Sequence, residues 1–135
     1  TYVLLSDGET NEGTTWESAH FSVIKELSNL IVIIDDNKLQ GFGKTSEVLG
    51  ETSRLSKFKD IGFETYECDG HKIDDILIIL NKIDESSTLK PKLILAKTIK
   101  GKGVSFMENM LEWHYLPIDD KLLSRSLSDV ENYTF

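Results

Sequence analysis

Residues 30–34 read Leu-Ile-Val-Ile-Ile, an uninterrupted aliphatic and mostly β-branched run. A strand with no polar face has to be covered on both sides, which is the condition inside a parallel sheet rather than at the wet surface of an antiparallel one. The rest of the chain supplies the covers. Residues 2–5, Tyr-Val-Leu-Leu, read as another buried strand that ends at Ser6-Asp7-Gly8. Residues 63–68 alternate like a strand, and residues 92–97 make one more after the break at 89–91. Between them lie helical stretches. The first spans about 15–27, with Trp16, Ala19, Val23 and Leu27 at helical spacing and a capping box formed by Thr14 and Glu17. Others follow near 53–61, 73–83 and 119–130, and residues 35–50 read as a long polar loop. Strand–helix alternation predicts an α/β fold, a doubly wound and mostly parallel sheet with right-handed crossovers.

Ligands of such sheets sit beyond the carboxyl ends of the strands. The loops of interest are therefore 6–13, 35–45, 69–71 and 98–106. Two carry a suggestive set of groups. Asp7 offers a carboxylate at a strand end, and Gly8 lets backbone N–H approach a phosphate oxygen. The helix start that follows adds N–H donors and a favourable dipole for an anion. The next strand ends in Asp35-Asp36-Asn37, where an amide oxygen and a nearby carbonyl can complete the protein side of a hard-cation shell. Taken singly, Asp7 reads as an Asx turn or helix cap, and Asn37 as a turn residue. The two motifs stand at successive strand ends, 37 − 7 = 30 residues apart, and that pairing favours the ligand reading.

Charge and composition narrow the classes. At 135 residues the chain has the size of one domain, and its formal charge of −8 gives nucleic-acid binding no electrostatic support. Cys68 is alone, which excludes an internal disulfide and a multi-cysteine metal site. No apolar run is long enough to cross a bilayer, so no membrane partner is expected and a reducing, cytoplasmic setting is the plain reading. The chain opens at Thr1 directly on a strand-like run, which predicts a fragment or the ordered part of a longer polypeptide.

Asp-Gly followed some thirty residues later by Asn resembles the thiamine-diphosphate motif, and the surrounding text is similar to the transketolase family. SDGETNEGTTWESAHF resembles the family's GDG–E–NEG–WEA segment, and NLIVIIDDNKLQGFGKT its strand and Asn loop. DGHKIDDI, AKTIKGKGVSFMEN and EWH are similar to the end of the same domain. The resemblance covers essentially the whole chain. It implies a thiamine-diphosphate-binding fold, with residues 1–135 forming the carboxy-terminal part of the diphosphate domain and about 106–135 an extended segment plus a final helix. It further implies thiamine diphosphate with Mg²⁺ (or Ca²⁺) held by Asp7, Asn37 and the Leu39 carbonyl, and Gly8 and Glu9 beside the diphosphate. Glu12 and Glu17 would belong to a catalytic carboxylate network at an interface; ordinary solvated or capping carboxylates are the competing reading. His114 would serve both cofactor and substrate. The implied activity is transfer of a two-carbon ketol unit from a ketose phosphate to an aldose phosphate. The alternatives are a deoxyxylulose-phosphate synthase-like enzyme, a 2-oxo acid dehydrogenase component and a non-catalytic assembly subunit. A pyrimidine-binding domain or subunit has to complete the site, in a homodimer or heterotetramer. The sequence departs from the family pattern at Ser6, at Gly41-Phe42 and at Tyr115, which follows His114.

Other signals carry less. Gly43-Lys44-Thr45-Ser46 imitates the end of a phosphate-binding P-loop, but the required glycine five residues earlier is Lys38. Asn81-Lys82-Ile83-Asp84 imitates a guanine-recognition motif, yet it falls in a helix where Asn81 and Lys82 form the solvated face. His71 is expected to be structural, His20 packed or at the surface, Trp16, Phe21 and Trp113 in core or interface, and Cys68 a buried small hydrophobe.

Overall fold

The computed structural model describes residues 1–133; residues 134–135, the last two of the expected carboxy-terminal segment, lie outside the described residues. Four strands form one parallel sheet in the order β1 (Tyr2–Ser6), β2 (Ile31–Asp36), β6 (Lys92–Lys97), β5 (Glu64–Asp69). Register follows the apolar runs: Tyr2 lies opposite Ile31 and Ser6 opposite Asp35, while Ile31 lies opposite Lys92 and Asp36 opposite Lys97. The chain passes from β1 through α1 (Gly13–Ile24) to β2, crosses to β5, and returns through α4 (Ile73–Glu85) to insert β6 between them.

Side chains alternate across the sheet and build a core on each face. On one face Val32, Ile34, Leu93 and Leu95 pack with Ala19 of α1 and with Phe58 of α3 (Leu55–Ile61), Trp16 and Leu5 joining from the margin. Trp16 stacks on Phe58 with ring centroids 4.9 Å apart. On the other face Ile31, Ile94 and Ala96 pack with Ile79 and Ile83 of α4 and with Cys68. Both faces of β2 and β6 are therefore covered, as the uninterrupted run at 30–34 predicts, and the sheet is doubly wound. Cys68 is a buried free thiol, and burial raises its pKa above the ordinary value.

Several expectations are corrected. β1 is not buried: Tyr2 and Leu4 are 63% and 70% exposed, because β1 stands at the sheet edge and no helix among the described residues covers that face. The capping box does not form. The cap of α1 is Glu12 without a side-chain bond, Thr14 is already inside the helix, and the hydroxyl of Thr15 donates to Glu9 O at 2.6 Å. The helix stops at Ile24 rather than Leu27, where Glu26 turns into the left-handed region at φ 50°. The segment read as an open loop after β2 is ordered by a small antiparallel pair, β3 (Leu39–Gln40) and β4 (Gly43–Lys44), followed by a short helix α2 (Thr45–Val48). The final helix, α5 (Asp120–Glu131), is capped by the Asp119 carboxylate, which accepts from Leu122 N. Among the described residues no helix is long and apolar enough to cross a membrane.

Ile34 is fully buried at the centre of the sheet. Ile34→Ala should cost about 2–5 kcal/mol in urea unfolding, whereas Leu4→Ala, on the open edge, should change it by less than about 0.5 kcal/mol. Equal losses would contradict the burial described.

Candidate functional site

The parallel ladder between β1 and β2 runs one step past its last strand pair, because Asp7 N–H donates to Asp35 O at 3.1 Å. Asp7 is thus fixed directly beside the end of β2, and it is almost wholly buried at 1% exposure. Its Oδ2 accepts from the Thr45 hydroxyl at 2.5 Å, and the backbone N–H groups of Gly8 and Lys38 also donate to the carboxylate. Lys38 adopts the left-handed region, φ 67°, and its own carbonyl accepts from Thr45 N at 2.9 Å. Burial pushes the Asp7 carboxyl above its ordinary value. The neighbouring charge of Asp36 adds to that, and the hydrogen bonds from Thr45, Gly8 and Lys38 oppose it. Asp36, equally buried, is paired by the Lys38 ammonium at 2.7 Å and accepts from the Ser53 hydroxyl at 3.1 Å.

A second chain of polar groups runs behind Gly8. The Thr10 hydroxyl donates to Asp7 O, and its oxygen lies 2.5 Å from that of Thr52. The Thr52 hydroxyl donates to Asn11 Oδ1, and Asn11 Nδ2 in turn donates to Gln40 Oε1 at 2.8 Å. This sequence fixes which end of the Gln40 amide is which. Gln40 Nε2 is left buried without an acceptor among the described residues. A side chain at position 8 would begin 3.5 Å from Gln40 Cγ, an ordinary contact that would fill the space between Gly8 and the Gln40 amide.

The sequence-predicted residues divide accordingly. Asp7, Gly8 and the turn bearing Asn37 and Leu39 are brought together. Asn37 Oδ1 accepts from Leu39 N at 3.0 Å, the turn bond expected as its local role, and a second lone pair remains. Glu9 is not turned to this group: its Oε2 accepts from Ser6 N at 2.7 Å and from the Ser6 hydroxyl at 3.1 Å, closing the turn on itself. Glu12, at the cap of α1, and Glu17, within the helix, are exposed. His114 lies on the rim of the loop, its Cε1 3.6 Å from where a Gly41 side chain would begin. His71 is structural, its Nε2 accepting from Ile99 N at 2.7 Å. Thr45 and Gln40 were missed by sequence reasoning. Thr45 drew notice only as part of a false P-loop, and no periodicity marks a lone polar residue in a loop.

The donors gathered here are hard oxygens, the type that suits Mg²⁺ or Ca²⁺, and a buried carboxylate is relieved by a cation. Gln40 Nε2 lacks the acceptor that an anionic oxygen would supply. The residues present fit a divalent cation accompanied by a diphosphate.

Residues 1–126 match the family model described as transketolase, thiamine diphosphate binding domain. The chain is 40% identical over 115 residues to one of the subunits of the apulose-4-phosphate transketolase of Phocaeicola vulgatus, covering 85% of this chain and 41% of that protein. It is 33% identical over 130 residues to the 6-deoxy-6-sulfo-D-fructose transketolase subunit SqwG of a Clostridium species, covering 96% of this chain and 47% of that one. The structure of transketolase from Campylobacter jejuni superposes with a TM-score of 0.86 at 28% identity, over 96% of this chain and 20% of that chain. The chain thus spans less than half the length of these relatives.

The pKa direction of Asp7 has a consequence for stability. Its folded-state value lies above the unfolded one, so in the metal-free chain this carboxyl favours folding at low pH and costs stability as pH rises through the raised value. Asp7→Asn should therefore remove part of the loss of metal-free stability between acidic and neutral pH, read by urea unfolding at both. An unchanged pH dependence would contradict the burial of this carboxyl.

Proposed function

The chain belongs to the transketolase family, in its thiamine diphosphate binding domain, and from that premise we propose that it holds the diphosphate and Mg²⁺ (or Ca²⁺) of an enzyme transferring a two-carbon ketol unit from a ketose phosphate to an aldose phosphate. The observation that carries the reading is the buried Asp7 carboxylate, set beside Gly8 and the Asn37 turn where two parallel strands end. Asp7, the Asn37 amide oxygen and the Leu39 carbonyl are the metal ligands, and Gly8 with the Gln40 amide receives the diphosphate. His114 lies at the rim, on the side where substrate enters. When bound, the cofactor supplies the carbanion-stabilising chemistry. The residues of this chain bind and orient.

Catalysis needs a pyrimidine-binding domain or subunit, and two of the similar proteins are themselves called subunits. Glu12 and Glu17 belong at the contact with that partner, in a homodimer or heterotetramer. α1 supports this by exposing Phe21 and Ile24, apolar surface of the kind that partner contacts cover. The lone, buried Cys68 suits a reducing, cytoplasmic setting. An assembly subunit without cofactor would need Ser6 to close the site. The Ser6 hydroxyl is instead committed to Glu9, which leaves the approach to Gly8 open and favours the binding reading.

Calorimetric titration of thiamine diphosphate into the chain with its partner tests this. Binding should require Mg²⁺ and vanish in EDTA, and Asp7→Ala should weaken it by about 10–100-fold. Unchanged affinity in that variant would sink the metal assignment. With binding established, turnover of ketose phosphates rather than pyruvate distinguishes ketol transfer from a deoxyxylulose-phosphate synthase-like reaction.

A further inference from the structure

The loop after β2 is held by a contact that the ligand set does not use. The Tyr115 hydroxyl donates to Gly41 O. Among the described residues this is the hydrogen bond that joins the turn at 37–44 to the 3₁₀ segment Leu111–His114 and the residues after it. A side chain at position 41 would begin 2.5 Å from the Tyr115 hydroxyl oxygen, inside any tolerable contact. Gly41 is not among the glycines with positive φ, so its backbone conformation is open to other residues. A side chain at 41 would instead displace the phenol from its hydrogen bond. The same residue leaves room for the tyrosine and accepts its hydrogen bond.

The 3₁₀ segment is pinned on both sides of His114. On one side Trp113 Nε1 donates to Phe106 O at 2.8 Å, and its ring meets Phe106 edge-on with centroids 5.1 Å apart. On the other, the Tyr115 ring lies 4.8 Å from the His114 imidazole and reaches over to Gly41. His114 sits between the two anchors, 3.6 Å from the position a Gly41 side chain would take. Gly41 follows Gln40, which faces Gly8. Two of the places where the sequence departs from its family's pattern, Gly41 and Tyr115, thus meet in one contact.

We infer that Gly41 and Tyr115 form a matched pair, a clasp that fixes the turn bearing Asn37 and Leu39 against the segment bearing His114, and that Tyr115 is a positioning residue for the diphosphate site. The clasp itself rests on the geometry above; its role rests on the function proposed for the site. Removing the hydroxyl and displacing it should have the same effect. Tyr115→Phe and Gly41→Ala should each speed hydrogen exchange of the amides at 38–44 by about 10-fold, the scale of one net hydrogen bond. Each should also shift the His114 Cε1 proton resonance, which a change in overall stability alone would not move. In the complex with its partner and Mg²⁺, each should weaken thiamine diphosphate by about 5–10-fold. In a Tyr115→Gly background, Gly41→Ala should add less than about twofold to either reading, because the clash has gone with the ring. Multiplicative effects, or a Tyr115→Phe protein with unchanged exchange and an unmoved His114 resonance, would overturn the pair. Coupled exchange in a wild-type complex that binds no thiamine diphosphate would uphold the clasp and overturn the positioning role.

Discussion

A carboxylate kept from water is costly unless it is paired, hydrogen-bonded or bound to a cation, and the loops of this chain are arranged around one such group. Asp7 is put there by strand register: Ser6 lies opposite Asp35, and the next residue of β1 falls beside the turn that leaves β2. From that placement follow the left-handed backbone at Lys38, the donated hydroxyl of Thr45 and the small β3–β4 pair that returns Thr45 to the strand ends. Asp36 adds a second buried carboxylate, answered by Lys38 and Ser53. With Asp36 answered by Lys38, Asp7 is, among the described residues, the buried carboxylate held by hydrogen bonds alone, and the Gln40 amide beside it keeps an unanswered donor.

The sheet was legible because its strands obey simple rules. An aliphatic run without polar alternation has to be central, and β2 is central, with Ile34 at 0% exposure. The meeting of Asp7 with the turn bearing Asn37 was legible through spacing, since successive strand ends in a parallel sheet come to one edge. Thr45 and Gln40 were not legible, because each acquires its role from a turn that no periodicity announces. The capping box at Thr14 and Glu17 failed for a related reason: the 3₁₀ turn Gly8–Asn11 carries the chain into α1 earlier, and Glu12 takes the cap. β1 was misread as buried because the amino acids of a covered strand and an edge strand can be the same. Exposure there depends on what lies beside the strand, which its own residues do not encode.

Family membership and local physics inform different parts of the account. The match over nearly the whole chain fixes the family, while the hydrogen bonds explain why Asp7, Gly8 and the Asn37 turn are held together. The departures at Ser6, Gly41 and Tyr115 are intelligible from local physics alone. Ser6 is occupied by Glu9, and the phenol of Tyr115 occupies the space that Gly41 leaves.

A rival location exists in the same molecule. The carboxyl ends of β5 and β6 border a cavity of about 710 Å³ lined by His71, Lys97, Thr98 and Lys102 among others. Its lysines are engaged, Lys97 with Glu67 at 2.5 Å and Lys102 with Glu108 at 3.6 Å, and the imidazole of His71 already accepts from Ile99. The direct test is nuclear magnetic resonance of the amide-labelled chain in complex with its partner, with Mn²⁺ in place of Mg²⁺ and thiamine diphosphate present. Paramagnetic broadening centred on Gly8 and on Lys38 to Gly41 is the result this account predicts. Broadening centred on His71, Thr98 and Ile99 would contradict it.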